Sequence, residues 1–416
     1  MAIPWGGKKH DPRPDAEKAA AFDPLALHED YLDDPYPAYR ILRENDPVHR
    51  CPDGSYFLTR YADLVQVYKG AEFSSDKTSQ FGPKYGADSP LYRHHTTSLV
   101  FNNPPLHTRV RALLSPAFTP RALRELEPDL AALVERLLDE AQEKGSFDLI
   151  ADYASAIPVE VVGNMLGVPH ADRGPLRDWS LAILGALEPV TPPDVLARGN
   201  IAVSEFSSYL ADLIEDRRQN PAQYEDDVMG RLIKGSPDGD TLSDDELIQN
   251  CIFILNAGHE TTTNLIGNGV GALFEHPDAL ADLRADPTLI DSAVEEFLRF
   301  ESSNQLGNRR VDTPTTVGGV EMASGTYIHL CIGAANRDPD EFKYPEQLDL
   351  RRRPNRHLAF GTGLHACAGM SLARVEGRLA IRQLVERFPK LEQNGPFVRG
   401  GRVRFRGFLA YPVKAA

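Results

Sequence analysis

A chain of 416 residues, 42% hydrophobic and 25% charged, can bury a large core. With 60 acidic and 45 basic side chains its formal charge is -15, which argues against general binding to nucleic acid or to an anionic membrane, because both need a cationic face. The four cysteines, Cys51, Cys251, Cys331 and Cys367, show no CxxC spacing. That argues against a disulfide framework or structural zinc and fits reduced thiols in the cytoplasm.

Residues 1–23 contain Lys8, Lys9, acids and prolines but no apolar run long enough for a signal peptide or anchor. They read as a flexible arm before a single domain over residues 24–416. Pro35 to Asn45 predicts a short helix with prolines in its first turn. Val48 to Cys51 and Tyr56 to Thr59 flank the turn Pro52-Asp53-Gly54 and predict a hairpin. Residues 70–103 show no period and predict a long functional or mobile loop. Pro104-Pro105 can open a helix that places His107 and Arg111 on one face. In the following helix Leu130, Leu133, Val134, Leu137 and Leu138 form an apolar stripe, and Gly145 ends it. Further helices are expected over 151–167, 175–187 and 195–218, and the acidic stretch 222–240 reads as a solvated loop.

The longest helix follows. Ser243-Asp244-Asp245-Glu246 is a capping box, and nothing stops the helix before His276-Pro277. It would span roughly 50 Å. Its first half, Leu247 to Leu255, is apolar nearly all round, yet its middle reads Asn256-Ala257-Gly258-His259-Glu260-Thr261-Thr262-Thr263-Asn264. A membrane span would not tolerate this, and an ordinary core helix rarely carries it. Pro287 to Phe300 predicts a helix with Leu289, Ala293, Phe297 and Phe300 inward and Glu296 and Arg299 one turn apart. Short strands are expected near Gly318-Gly319 and over 326–332, then a polar meander to Arg356. Alternation over Val403, Arg404, Phe405 and Arg406 predicts a closing strand.

Between meander and closing strand lies Phe360-Gly361-Thr362-Gly363-Leu364-His365-Ala366-Cys367-Ala368-Gly369, running into a helix from Met370 to Phe388. A cysteine at a helix start lies near unpaired N–H groups and the positive end of the helix dipole, which favours thiolate. Gly363, Ala366, Ala368 and Gly369 leave the sulfur approachable. From these residues alone Cys367 fits a nucleophile with His365 as base, a soft metal ligand, or an unreactive buried thiol. Gly361-x-Gly363-x-x-Ala366 matches a dinucleotide fingerprint only formally, because no βαβ unit surrounds it. Gly267, Gly269 and Gly271 sit within the long helix and predict close packing.

Phe360-x-x-Gly363-x-His365-x-Cys367-x-Gly369 resembles the haem-ligand loop of the cytochrome P450 family. Three more motifs occur in the family's order. Ala257-Gly258-His259-Glu260-Thr261 is similar to its oxygen-groove motif, Glu296-x-x-Arg299 to its buried Glu/Arg pair, and Asn103-Pro104-Pro105-Leu106-His107-Thr108-Arg109-Val110-Arg111 to its HxxxR helix, with Asn103 where Asp is common. The resemblance implies a mainly α protein with small β-sheets, a triangular helical fold whose long central helix lies over the haem. It implies haem b ligated by Cys367, the thiolate favouring O–O cleavage, with Phe360 and Gly369 in the ligand loop. His107, Arg111, Arg309 and His365 would neutralise the propionates, Arg309 being preferred to Arg310 by its spacing from Gly318-Gly319. Ala257 and Gly258 would leave room for haem and O₂, while Thr261 and Glu260 deliver protons. Glu296 and Arg299, joined by Arg352, would support the fold.

By the same alignment Asn256, Asn304 and Gln305 fall on the substrate side, with Leu99, Val100, Phe253 and Phe405 as walls. A substrate with one polar group in an apolar pocket is the expectation. The activity implied is O₂-dependent oxidation (hydroxylation, dealkylation or epoxidation) of a small to medium organic substrate. The chain contains no C-x₄-C-x₂-C run and no credible dinucleotide site, so an NAD(P)H-dependent reductase and a ferredoxin should supply electrons. Arg351, Arg352, Arg353 and Arg356, with Arg109 and Arg124, are the expected docking patch. A peroxide-driven haem-thiolate enzyme or isomerase is the nearer alternative, opposed by the Glu260-Thr261 pair, and a non-catalytic haem-binding sensor is the more distant one.

Overall fold

A computed structural model describes residues 13–224, 228–236 and 239–415. The helix Asp244–Glu275 runs through its centre, and 22 of its residues are buried. The predicted capping box forms: the Ser243 hydroxyl accepts from the Glu246 N–H while the Glu246 carboxylate accepts from the Ser243 N–H at 2.9 Å. Glycine lets neighbours approach this helix closely. A Cβ at Gly267 would stand 2.7 Å from Ile150, and one at Gly269 would stand 2.8 Å from Ile381, so the expected packing role is what the backbone shows.

Two apolar clusters flank the long helix. One joins it to Pro120–Lys144, Ile290–Phe300 and Met370–Arg387, and the other joins it to Leu176–Gly185 and Pro193–Gln219. The segment Leu149–Leu166 is long and apolar enough to cross a membrane. Here it is a π turn followed by the helix Ala156–Leu166, with Leu149, Ile157 and Val161 packed in the core.

A five-stranded sheet stands to one side, in the order Val48–Arg50, Tyr56–Leu58, Tyr327–Cys331, Leu306–Val311, Phe73–Ser74. The second and third of these pair in parallel and the remaining neighbours antiparallel. The predicted first hairpin is therefore present, and so are the hairpin Thr315–Val317 with Val320–Met322 and the helices at 36–45, 106–114 and 370–387.

Four expectations need correction. The stretch 70–103 contains the helices Thr78–Tyr85 and Pro90–Thr97, which burial of Phe81, Tyr85 and Leu91 stabilises despite Gly82 and Pro83. Val228–Lys234 is a helix that buries Val228, Met229 and Leu232, where a loop was expected. Residues 403–406 are not a strand: only an isolated bridge pairs Asn304 with Phe405. Their arginines turn inward instead. Arg406 donates to the Glu301 carboxylate and to the carbonyls of Leu32 (2.9 Å) and Asp33 (2.7 Å). The second half of the stretch expected to be a flexible arm is ordered, Asp15–Ala20 being helical and Phe22 packing in a core cluster with Phe57; residues 1–12 lie outside the described part.

Candidate active site

Cys367 sits three residues before the helix Met370–Arg387. Its N–H donates to the Phe360 carbonyl at 2.9 Å, which closes the loop. Gly361 and Gly363 have φ of 61° and 75°. A Cβ at Gly363 would lie 2.5 Å from the Tyr68 carbonyl, so both the dihedral and the close approach demand glycine there. Burial pushes the Cys367 thiol up, while the Gly369 N–H, Arg111 and Arg374 favour the thiolate. The Phe360 ring carries the Arg374 guanidinium over its face at 4.8 Å.

The cations expected around the sulfur are assembled. His107 is buried, lies 4.1 Å from the His365 ring between centroids, and has no hydrogen-bond partner on either nitrogen. Arg111 donates to the Ala366 carbonyl at 2.9 Å. Arg309 stacks over Tyr68 at 5.3 Å and donates only to the Asn308 carbonyl. Arg310 instead pairs with Asp312 at 2.8 Å, so Arg309 is the one left without a carboxylate. Burial pushes His365 down to about 3, and Arg309, His107, Arg111 and Lys77 push it the same way. Lys77 was not foreseen; its distance in sequence from every motif hid it. The buried Arg309 guanidinium with no carboxylate paired to it, set near Arg111 and the neutral imidazoles of His107 and His365, is costly unless an anion joins it.

On the long helix Ala257 is exposed and Gly258 and Thr261 are partly so, amid neighbours that are almost all buried. An exposed alanine in the middle of a core helix marks an internal cavity. The Thr261 hydroxyl donates to the Ala257 carbonyl at 2.6 Å, one turn back along the helix. Gly258 has a different reason for its small size: a Cβ there would stand 2.8 Å from Val162, so it admits the neighbouring helix. These features fit a flat dianionic ring held between a thiolate and a small-residue helix.

Glu260 pairs with Arg402 at 2.6 Å through one oxygen, and the other has no partner. Burial lifts its carboxyl to about 7, against the pull of Arg402. Both line a cavity of about 20 Å³ with Ser155, Arg177, His259 and Asn264, which is room for about one water. Thr262, one residue past Thr261, donates to Glu376 at 3.3 Å, and burial lifts that carboxyl to about 8. Arg402 and Glu376 carried no signal in the sequence beyond being charged.

The supporting trio forms as expected. Arg299 donates to both Glu296 oxygens at 2.8 and 2.7 Å, and Arg352 donates to them at 3.2 and 3.1 Å. Asn355 and the Asp349 N–H complete the shell, and Arg299 also holds the carbonyls of Asn336, Pro345 and Gln347. The helix Ile290–Phe300 is thereby tied to the meander that leads to Cys367.

The expected substrate residues separate into two groups. Asn256 contacts His94 at 3.4 Å and keeps an unpaired carbonyl oxygen, and Phe253 and Val100 are partly exposed. Leu99 is buried, its N–H held by Asn250 at 3.0 Å, and Asn304 is bridged to Phe405. Gln305 stands apart: its amide donates to Tyr36 (3.2 Å) and the Ser302 carbonyl (2.8 Å), and a Cβ on Gly333 would collide with it. It braces the sheet side. The docking arginines are depleted similarly, with Arg109 held by Glu246, Arg351 by Asp282 and Arg352 by the trio.

Fold and site together define a haem-thiolate protein. Residues 189–396 match the profile of the Cytochrome P450 family. The chain is 40% identical over 366 residues to the vitamin D(3) 25-hydroxylase of Pseudonocardia autotrophica, covering 87% of this chain and 88% of that one. It is 36% identical over 366 residues to the biotin biosynthesis cytochrome P450 of Bacillus subtilis strain 168, covering 87% and 91%. Among solved structures, P450BioI in complex with a hexadec-9Z-enoic acid ligated acyl carrier protein superposes with a TM-score of 0.88 at 34% identity, covering 93% of this chain and 99% of that one. CYP109E1 from Bacillus megaterium in complex with testosterone gives 0.85 at 29%, covering 94% and 100%. This chain belongs to the cytochrome P450 family of haem b monooxygenases, which use O₂ on small to medium organic substrates.

Proposed function

We propose that Cys367 is the iron ligand, that His107, Arg111, Arg309 and His365 hold the propionates, and that Thr261 and Glu260 supply protons for an O₂- and ferredoxin-dependent monooxygenation. The observation that carries this is the group of two guanidiniums and two neutral imidazoles, Arg309 among them without a carboxylate partner, beside a cysteine whose sulfur accepts from the Gly369 N–H. Haem b, when bound, supplies oxygen activation at the expense of two electrons, one oxygen atom going to the substrate and the other to water.

The chain's own residues supply the surroundings. Gly369, Arg111 and Arg374 favour the anionic sulfur. Ala257 keeps the helix surface low beside the cavity, and Thr261 offers a hydroxyl there. Glu260, balanced near neutrality between burial and Arg402, can take a proton from the small polar cavity and pass it on; relays of this kind contribute ~10² to 10⁴-fold. Phe253, Val100 and Phe405 exclude water, and the Asn256 carbonyl oxygen is open to a donor on the substrate.

Electrons come from a ferredoxin and its NAD(P)H-dependent reductase, docking at Arg353, Arg356 and Arg124, which remain exposed. A cytoplasmic location fits Cys51, Cys251 and Cys331, none of which is in a disulfide. Carbon monoxide added to the dithionite-reduced protein should give the thiolate-type Soret band. Its persistence in Cys367→Ser would remove the ligand assignment, and turnover by hydrogen peroxide equal to that with ferredoxin and NAD(P)H would remove the electron route.

A further inference from the structure

A second group of basic side chains lies between the five-stranded sheet and the 402–406 loop. Lys77, just before the helix Thr78–Tyr85, is only 2% exposed, and its Nζ has no hydrogen-bond acceptor. That nitrogen lies 5.2 Å from the centre of the Tyr327 ring. The Arg404 guanidinium lies close enough to the Tyr327 hydroxyl to favour its ionised form, and among the described residues it donates to the carbonyls of Leu187 and Leu306. Two residues along the same strand face, His329 is 5% exposed with neither ring nitrogen bonded.

The neighbouring carboxylates are committed elsewhere. Glu188 accepts from the N–H groups of Val403 (2.8 Å) and Arg404 (3.3 and 3.1 Å). Asp76 accepts from the N–H and hydroxyl of Thr78 at 2.8 and 3.2 Å, and Asp53 accepts from Ser55 at 2.9 Å. Burial, Arg309, Arg404 and Arg310 hold the Lys77 amine well below the ordinary lysine range, and the Asp76 charge, though shared with Thr78, offsets them only in part. An anion placed here would relieve both its desolvation and the mutual repulsion.

The two haem propionates already face two guanidinium cations, Arg111 and Arg309, with the imidazoles of His107 and His365, which burial and those arginines keep neutral, as further hydrogen-bond donors. Lys77 and Arg404 are therefore in excess of what the cofactor needs. Arg404 also precedes Phe405, which is bridged to Asn304, so one short loop carries a basic group and an apolar wall side by side.

We propose that Lys77, Arg404 and Tyr327 bind the carboxylate of an otherwise apolar substrate, anchoring its far end while the chain extends towards Ala257. This rests on the haem-thiolate reading above. The holoprotein should be titrated with hexanoate, dodecanoate and hexadecanoate and with their methyl esters, following the Soret spin-state shift and the heat of binding in parallel. At least one acid should bind about tenfold more tightly than its ester, equivalent to ~1.4 kcal/mol. Lys77→Met should abolish that preference and leave ester binding unchanged; Tyr327→Phe, which keeps the ring, should reduce it by about half.

No acid preference across the series, or an undiminished one in Lys77→Met, overturns the proposal. So does loss of bound haem in Lys77→Met, because the lysine would then serve a propionate. A wild-type protein without the thiolate-type carbon monoxide band defeats the haem-thiolate reading instead, and calorimetry still reports whether acids are preferred to esters.

Discussion

The meander side and the distal side of this molecule handle buried polarity in opposite ways. Around Glu296 each carboxylate oxygen and nearly every guanidinium N–H of Arg299 has a partner within 3.2 Å. By contrast Lys77 beside the sheet, His95, and Asn256 and one oxygen of Glu260 on the long helix are buried with atoms left unpaired among the described residues. Buried groups of either kind are expensive unless satisfied. The satisfied network makes a scaffold, and the unsatisfied groups await something the chain does not itself contain.

If that contrast is right, substitutions on the first side should cost stability and those on the second should cost chemistry. The largest effect belongs to the ligand. Cys367→Ser should eliminate the thiolate-type carbon monoxide band and all turnover, measured by difference spectroscopy and product analysis. Glu296→Gln comes next: it leaves Arg299 and Arg352 buried without their anion, at a cost of roughly 3 to 5 kcal/mol, read as a lower denaturant midpoint and a low yield of holoprotein.

Thr261→Ala should lower coupled product formation by about 10² while stability changes little; an equal loss of stability would erase the distinction between the two regions. Glu376→Gln tests it more finely. Burial raises this carboxyl to about 8 in the folded chain, from the 4.5 of an ordinary glutamate. Its protonated form therefore favours folding at low pH, and that contribution is lost as pH rises from about 4.5 to about 8. The glutamine variant should match wild type near pH 5 and melt a few degrees higher near pH 8.5. The smallest effect should come from Gln305→Leu, which removes a brace on Tyr36 and should shift stability by about 1 kcal/mol without altering substrate affinity.

What the sequence made legible follows the same division. The long helix, its cap, the turn that carries Cys367 into its helix and the Glu296 trio could be read, because each lies in a local pattern of fixed spacing. The strand Leu306–Val311 was not expected, although it lies inside the sheet. Its Asn308-Arg309-Arg310 run reads as surface, and only the fold shows Arg309 stacked on Tyr68. The helices at 78–85 and 90–97 were hidden because they are short and interrupted by Gly82 and Pro83, and tertiary burial of Phe81 and Leu91 outweighs that local preference. Arg402, Lys77 and Glu376 were invisible for a third reason: a charged residue acquires meaning only from what the chain brings beside it, here from up to hundreds of positions away.

The inward-turned 402–406 loop also bears on how the protein is made. It supplies the partner of Glu260, the bridge to Asn304 and, through Arg406, bonds to Leu32 and Asp33. These contacts join sequence-distant segments and form late, since loop closure must be completed first. Residues 402–406 are synthesised after the Cys367 loop, so a stalled chain that ends at Arg387 and is followed by a linker long enough to clear the exit tunnel should present the cysteine yet fail to retain cofactor in a pull-down, whereas one that runs past Arg406 before the same linker should retain it. Cellular haem supply would then be timed to chain completion rather than to the emergence of its ligand.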